Sequence, residues 1–180
     1  MEAAWISKKV TMIVTICTYN ARTLASESSI EDLFMQARRI GYGVIDLAET
    51  RRRQPFNAVY DIGEELFLGT CDSRGVGGVG VLVNTSLSMN INSFEQLTTR
   101  IGRLRLRRRG TFPASTIFVV YAPTSNHDEE EIEAFYVDLE KFYGEDHTFF
   151  KVVEIGDLNA KMGQERTSEE GHSGTNGTTE

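Results

Sequence analysis

A chain of 180 residues is long enough to bury one real core and too short to expect two domains. Its 40% hydrophobic and 25% charged residues exclude fibrous and disordered classes, and a net charge of −7 argues against a uniformly basic nucleic-acid coat. Two cysteines, Cys17 and Cys71, form neither a disulfide framework nor a zinc spacing.

In chain order, residues 1–9 read as a loose leader whose Lys8 and Lys9 only imitate a signal peptide. An intracellular protein, nuclear or cytoplasmic and not secreted, is expected. The β-branched run Val10–Cys17 predicts a strand leading into Thr18-Tyr19-Asn20. A helix from about Ser28 to Ile40 follows. Ser28 and Glu31 are spaced as a capping box, and Leu33, Phe34, Ala37 and Ile40 share one face. Val44–Leu47 starts the next strand at once and ends at Ala48-Glu49-Thr50. Strand, helix and strand in so short a span predict a parallel crossover that brings Asn20 and Glu49 to one rim.

Residues 51–63 read as a polar connection, basic at its start. Leu66–Cys71 and Val79–Val83 predict strands. The string Gly75-Val76-Gly77-Gly78-Val79-Gly80 satisfies a dinucleotide fingerprint, but it opens a strand and not a helix, so it reads as a loop. Between Ile101 and Arg107 arginine alternates with leucine, the pattern of a strand with one wet face. Its arginines read as solvated, with a phosphate stripe as the alternative. Thr116–Tyr121 predicts a buried strand stopped by Pro123. Asp128 caps a helix over about Glu129–Tyr143, whose apolar face is Ile132, Phe135, Tyr136, Leu139 and Phe142. The apolar run from Phe149 then ends at Gly156-Asp157-Leu158-Asn159, where Asp157 and Asn159 share a face of extended chain. Glu154 is an unexpected charge within that run. Residues 166–180 read as a polar, disordered tail.

Four strands thus end in polar groups able to bind a metal or phosphate. The ordered strings Thr18–Leu24, Ala48–Arg52, Gly77–Val83, Tyr121–Thr124 and Gly156–Ala160 resemble the endonuclease/exonuclease/phosphatase superfamily. Within it they look most like the apurinic-type endonuclease domain of RTE-class non-LTR retrotransposons and derived host genes. The likeness spans residues 10–165. It implies an α/β fold, a mixed β-sandwich flanked by helices in four α/β/β/α layers, and Mg²⁺-dependent phosphodiester hydrolysis of DNA, with Mn²⁺ as a substitute. Glu49 is then the principal metal ligand and Asn20 its helper. Tyr121 contacts a phosphate oxygen, Asp157 orients or deprotonates water, Asn159 binds the phosphate, and Thr124 is a weaker member of the same wall.

The family ends in further strands bearing an Asp-His pair, before which this chain stops, so an impaired activity is expected. Asp146-His147 looks like that pair but is displaced in motif order and reads as a loop; His127 and His172 read as solvated. Arg22 stands where many members carry an acidic or amide residue. The competing expectation is a non-catalytic remnant that binds DNA or a protein. A protein partner or the missing strands would complete the fold, and no membrane contact is expected.

Overall fold

The computed structural model describes residues 14–22, 24, 26–60, 62–124 and 127–156, the last three by backbone alone. The predicted leader and tail, Asp157, Asn159 and His172 lie outside the described residues. Those described form a mixed α/β structure of two mixed sheets and three helices.

The first crossover positions the site. Strand β1 (Ile16–Asn20) feeds helix α1 (Glu27–Ile40), which returns to β2 (Val44–Ala48) parallel to β1, with Asn20 opposite Ala48. Helix α1 starts one residue before the predicted Ser28, on a different box: Ser26 Oγ accepts from Ser29 N–H at 3.3 Å, and Ser29 Oγ accepts from Ser26 N–H at 3.2 Å. A serine at the third helical position supplies the reciprocal bond that Glu31 was expected to make. Ile30, Leu33, Phe34 and Ala37 form the buried stripe at helical spacing, which ends before the exposed Ile40. Gly41, at φ 65°, closes the helix in the left-handed conformation that glycine enters without steric cost.

The first sheet has the order β1-β2-β5-β4-β3, with β3 Phe56–Val59, β4 Glu65–Leu68 and β5 Val79–Val83. Strand β3 lies within the predicted polar connection. As an edge strand it turns only Phe56 and Ala58 inward, a pattern too short to show in the sequence. The short helix α2 (Thr85–Ser88) follows β5. The second sheet runs β6-β7-β8-β9, with β6 Ile91–Gln96, β7 Ile101–Leu106, β8 Ser115–Tyr121 and β9 Phe150–Gly156. Helix α3 (Glu129–Glu145) joins β8 to β9, which are parallel, and sets Gly156 opposite Tyr121. Strand β6 was not foreseen, because Asn92, Glu95 and Gln96 break the apolar run.

Three apolar clusters hold these elements. One joins α1 to Ile45, Leu47, Leu66, Leu68 and Leu82 of the first sheet. A second combines Val44, Val79, Val81 and Val83 with Leu104, Ile117 and Val119 of the second sheet. A third sets Phe135 of α3 on Ile101, Phe118 and Val120. Neighbouring residues of β2, Val44 and Ile45, belong to different clusters, as alternation along a strand requires. Tyr136, predicted for the apolar face of α3, is exposed.

Of the alternating arginines, Arg107 is exposed as expected, but Arg103 and Arg105 are partly buried and held in ion pairs. Arg105 reaches the buried Asp146 carboxylate at 3.3 Å, and Arg103, only 13% exposed at its side chain, pairs with Glu95 at 2.5 Å and lies 3.9 Å from Asp146. Asp146 also accepts from the Thr116 hydroxyl at 3.2 Å and from Thr148 N–H at 2.9 Å. Asp146 and His147 do lie in the connection after α3, but the aspartate is an anchor between helix and sheet. Burial pushes its carboxyl up, and the bonds from Thr148, Thr116 and Arg105 outweigh that and hold it below the ordinary carboxylate range. A depressed folded value stabilises the fold above the unfolded value and is lost as pH falls through the folded one. Asp146→Asn is therefore expected to cost about 3 kcal/mol at neutral pH and to flatten the decline in stability below about pH 4, measured as Tm against pH.

Candidate functional site

The site is built where two parallel strand pairs, one from each sheet, end at the same rim. Glu49 follows β2 and is 5% exposed. Its Oε1 accepts the Tyr121 hydroxyl from the end of β8 at 3.0 Å and the Asn20 side-chain N–H from the end of β1 at 3.4 Å. Its Oε2 accepts Arg51 at 2.9 Å and lies 3.5 Å from Arg22 Nε. Three of the residues picked out by sequence, Asn20, Glu49 and Tyr121, thus converge on one carboxylate. Thr124 lies beyond β8, where its carbonyl accepts from His127 N–H at 3.0 Å, and no bond joins it to Glu49 among the described residues. Asp157 and Asn159 lie outside the described residues; the last described residue before them, Gly156, sits beside Tyr121.

Backbone geometry holds this carboxylate. Glu49 and Arg51 have φ of 58° and 49°, the left-handed region that costs a side-chain-bearing residue ~1–2 kcal/mol. The glycine run opposite stabilises them. Thr50 N–H donates to Gly78 O at 3.0 Å, Arg51 N–H donates to Gly77 O at 3.1 Å, and Gly78 N–H reaches Thr99 O at 2.7 Å. Gly78 itself has φ 90°, and a Cβ there would strike the Thr50 hydroxyl. The string that mimics a dinucleotide fingerprint is thus a clasp on the Glu49 turn.

Tyr121 is held from outside. Arg100 lies over its ring at 5.1 Å, Tyr121 N–H donates to Arg100 O at 2.8 Å, and Arg100 Nη2 meets His127 Nε2 at 3.2 Å. His127 Nδ1 lies 2.6 Å from Glu131 Oε2, and Arg74 also reaches that glutamate. His127, expected to be solvated, is a partly buried link in this support. Its bonds and those of Arg74 hold the Glu131 carboxyl below its ordinary value. The sequence signal that could have found it is its position before the Asp128 cap, four residues from Glu131.

The donors fit a hard cation in kind: one carboxylate and one amide oxygen, Asn20 Oδ1, which accepts Arg22 N–H at 3.0 Å. No cluster of three His, Cys, Asp or Glu side chains occurs among the described residues. Arg22 and Arg51 compete with any cation for Glu49. The chain matches no family model, and no curated protein matches it by sequence.

Two outcomes are expected. Gly78→Ala adds a forbidden φ and a collision, costs roughly 2–4 kcal/mol, and lowers Tm by several degrees. Arg22→Gln frees one side of Glu49 and tightens Mn²⁺ binding, read by titration with the ion alone. The gain is about fivefold, because the Arg22 end of this half-buried pair is open to solvent and contributes ~1 kcal/mol.

Proposed function

We propose that this chain carries a Mg²⁺-dependent phosphodiesterase site of the DNA-endonuclease type, in a four-layer α/β/β/α arrangement. The observation that supports it most is the convergence of Asn20, Glu49 and Tyr121, from three strands of two sheets, on one buried carboxylate. A carboxylate fixed by strand ends from both sheets is set up to act on a ligand. The three clusters, helix on sheet, sheet with sheet, and sheet on helix, support the layered reading.

In this reading Glu49 and Asn20 hold Mg²⁺ or Mn²⁺, which supplies Lewis-acid polarisation of a phosphoryl oxygen. The protein groups do the rest. Tyr121 can turn its hydroxyl from Glu49 to a non-bridging phosphate oxygen, and Asn159 hydrogen-bonds the same phosphate without adding negative charge. Asp157, next in sequence after Gly156, takes the proton of the attacking water, so that a P–O bond forms as the ester P–O bond breaks and the leaving sugar oxygen takes a proton from solvent water. Arg22 and Arg51 offset the charge that accumulates on the phosphate.

A second reading, a non-catalytic module that binds DNA or a protein, is favoured by a different observation: both oxygens of Glu49 already carry partners. Nicking of supercoiled plasmid by the purified chain with Mg²⁺ separates the two. The nuclease reading expects nicking that EDTA abolishes and that Glu49→Gln and Asp157→Ala each reduce by at least about a hundredfold. No nicking by a chain that melts cooperatively would leave the binding module.

A further inference from the structure

Beside Glu49 lies a pocket of about 370 Å³ lined by Arg22, Thr50, Arg51, Arg52, Arg53 and Gln54. Four guanidinium groups stand there in a chain whose net charge is −7. Glu49 engages Arg22 and Arg51 and leaves Arg52 and Arg53 without an acidic partner among the described residues. Arg53 is steered by carbonyls instead, donating to Asp72 O at 3.3 Å and Ser73 O at 3.0 Å. Arg52 lies over the Phe56 ring at 5.0 Å, and its buried Nε has no hydrogen-bond partner among the described residues. A desolvated guanidinium nitrogen without an acceptor is costly, and the charges of Arg52 and Arg53 are left without a carboxylate among the described residues.

The positions of these arginines are fixed and not incidental. Arg51 holds a positive φ, and Arg52 pairs with Thr70 in an isolated parallel bridge beside the first sheet. Cys71 N–H, next along, donates to Arg52 O at 2.9 Å. Like charges gathered on an anchored turn raise the free energy of the fold and focus anions. Arg22 and Arg51 belong to both places, lining the pocket and touching Glu49, so an anion seated here lies next to whatever Glu49 binds.

We propose that this arginine pocket is a subsite for a backbone phosphate of nucleic acid that flanks the phosphate under attack. The proposal rests on the phosphodiesterase reading for the neighbouring site, and it adds which residues grip the substrate strand. A nucleic-acid strand is favoured over an isolated phosphate because the pocket and Glu49 share two arginines. Two adjacent negative charges on one ligand match that layout, and successive phosphates of a strand supply them about 3.4 Å apart along the axis.

The test is fluorescence anisotropy of a short fluorescein-labelled DNA duplex with the full chain in EDTA, titrated with KCl. Arg53→Gln and Arg52→Gln should each lower the slope of log K against log[KCl] by about one, Arg53→Lys should keep it, and Arg108→Gln at the far end of the second sheet should leave it unchanged. Because Arg52 also packs on Phe56, the exposed Arg53 variant carries the result if Arg52→Gln unfolds by circular dichroism. A slope unchanged in Arg53→Gln overturns the subsite, as does the absence of duplex binding at low salt. Displacement of the duplex by inorganic phosphate at equal phosphate concentration also overturns it, because the pocket would then take free phosphate. Plasmid nicking is not needed for this readout, so a failed nuclease reading and a failed subsite give different results.

Discussion

The hydrogen bond from Tyr121 to Glu49 joins the two sheets at their common rim, and the site depends on it. Glu49 continues a strand of the first sheet, and Tyr121 ends a strand of the second. Their 3.0 Å separation requires that β2 and β8 end at the same level, which the valine layer between the sheets enforces. A carboxylate at this depth is tolerable only with its lone pairs filled, and Asn20, Tyr121, Arg22 and Arg51 fill them. The bond therefore serves packing and preorganisation together. It ties the two sheets at the rim and holds the Tyr121 hydroxyl on the Glu49 carboxylate.

The turn that carries Glu49 shows how the glycine run acts at a distance along the chain. Two consecutive glycine carbonyls, Gly77 and Gly78, receive the N–H groups of Arg51 and Thr50, and Gly78 donates onward to Thr99 beside the second sheet. Thr50 itself donates its hydroxyl to Gly69 O at 2.8 Å. Glu49 is thus held by a backbone path that touches both sheets, and its left-handed φ is offset by those bonds. Bulk at Gly78 would open the path, which accounts for a glycine there in a way the dinucleotide string does not.

Much of this was legible in the sequence. The β1-α1-β2 crossover follows from apolar periodicity and close spacing, and that alone puts Asn20 near Glu49. The buried run before Tyr121 likewise sets that residue at a strand end. Less legible were the edges and the charges. Strands β3 and β6 have too few inward residues to outweigh their polar ones. Glu64 is wholly buried, yet nothing near it in sequence announces its partners, Tyr42 at 2.7 Å and Arg38 at 2.8 Å, which lie more than twenty residues earlier. Asp146 and the β7 arginines were each visible, but their pairing is tertiary, and alternation alone made the arginines look wet.

The same limit applies to Arg22. In the sequence it reads as a ligand replaced, and so as a loss. In the structure it stands against Glu49 with Arg51, so two guanidiniums engage the carboxylate oxygen that the proposed cation would need. These are different physical situations. A lost ligand weakens a metal site permanently, whereas an arginine 59% accessible at its side chain can leave Glu49 when another cation takes its place on the carboxylate. Its natural destination is an anion, and the arginine pocket lies on the other side of it. A phosphate that draws Arg22 and Arg51 from Glu49 would free carboxylate oxygens for a cation at the same moment. Cation and phosphate would then each favour the binding of the other, through a shared pair of arginines and without any movement of the sheets.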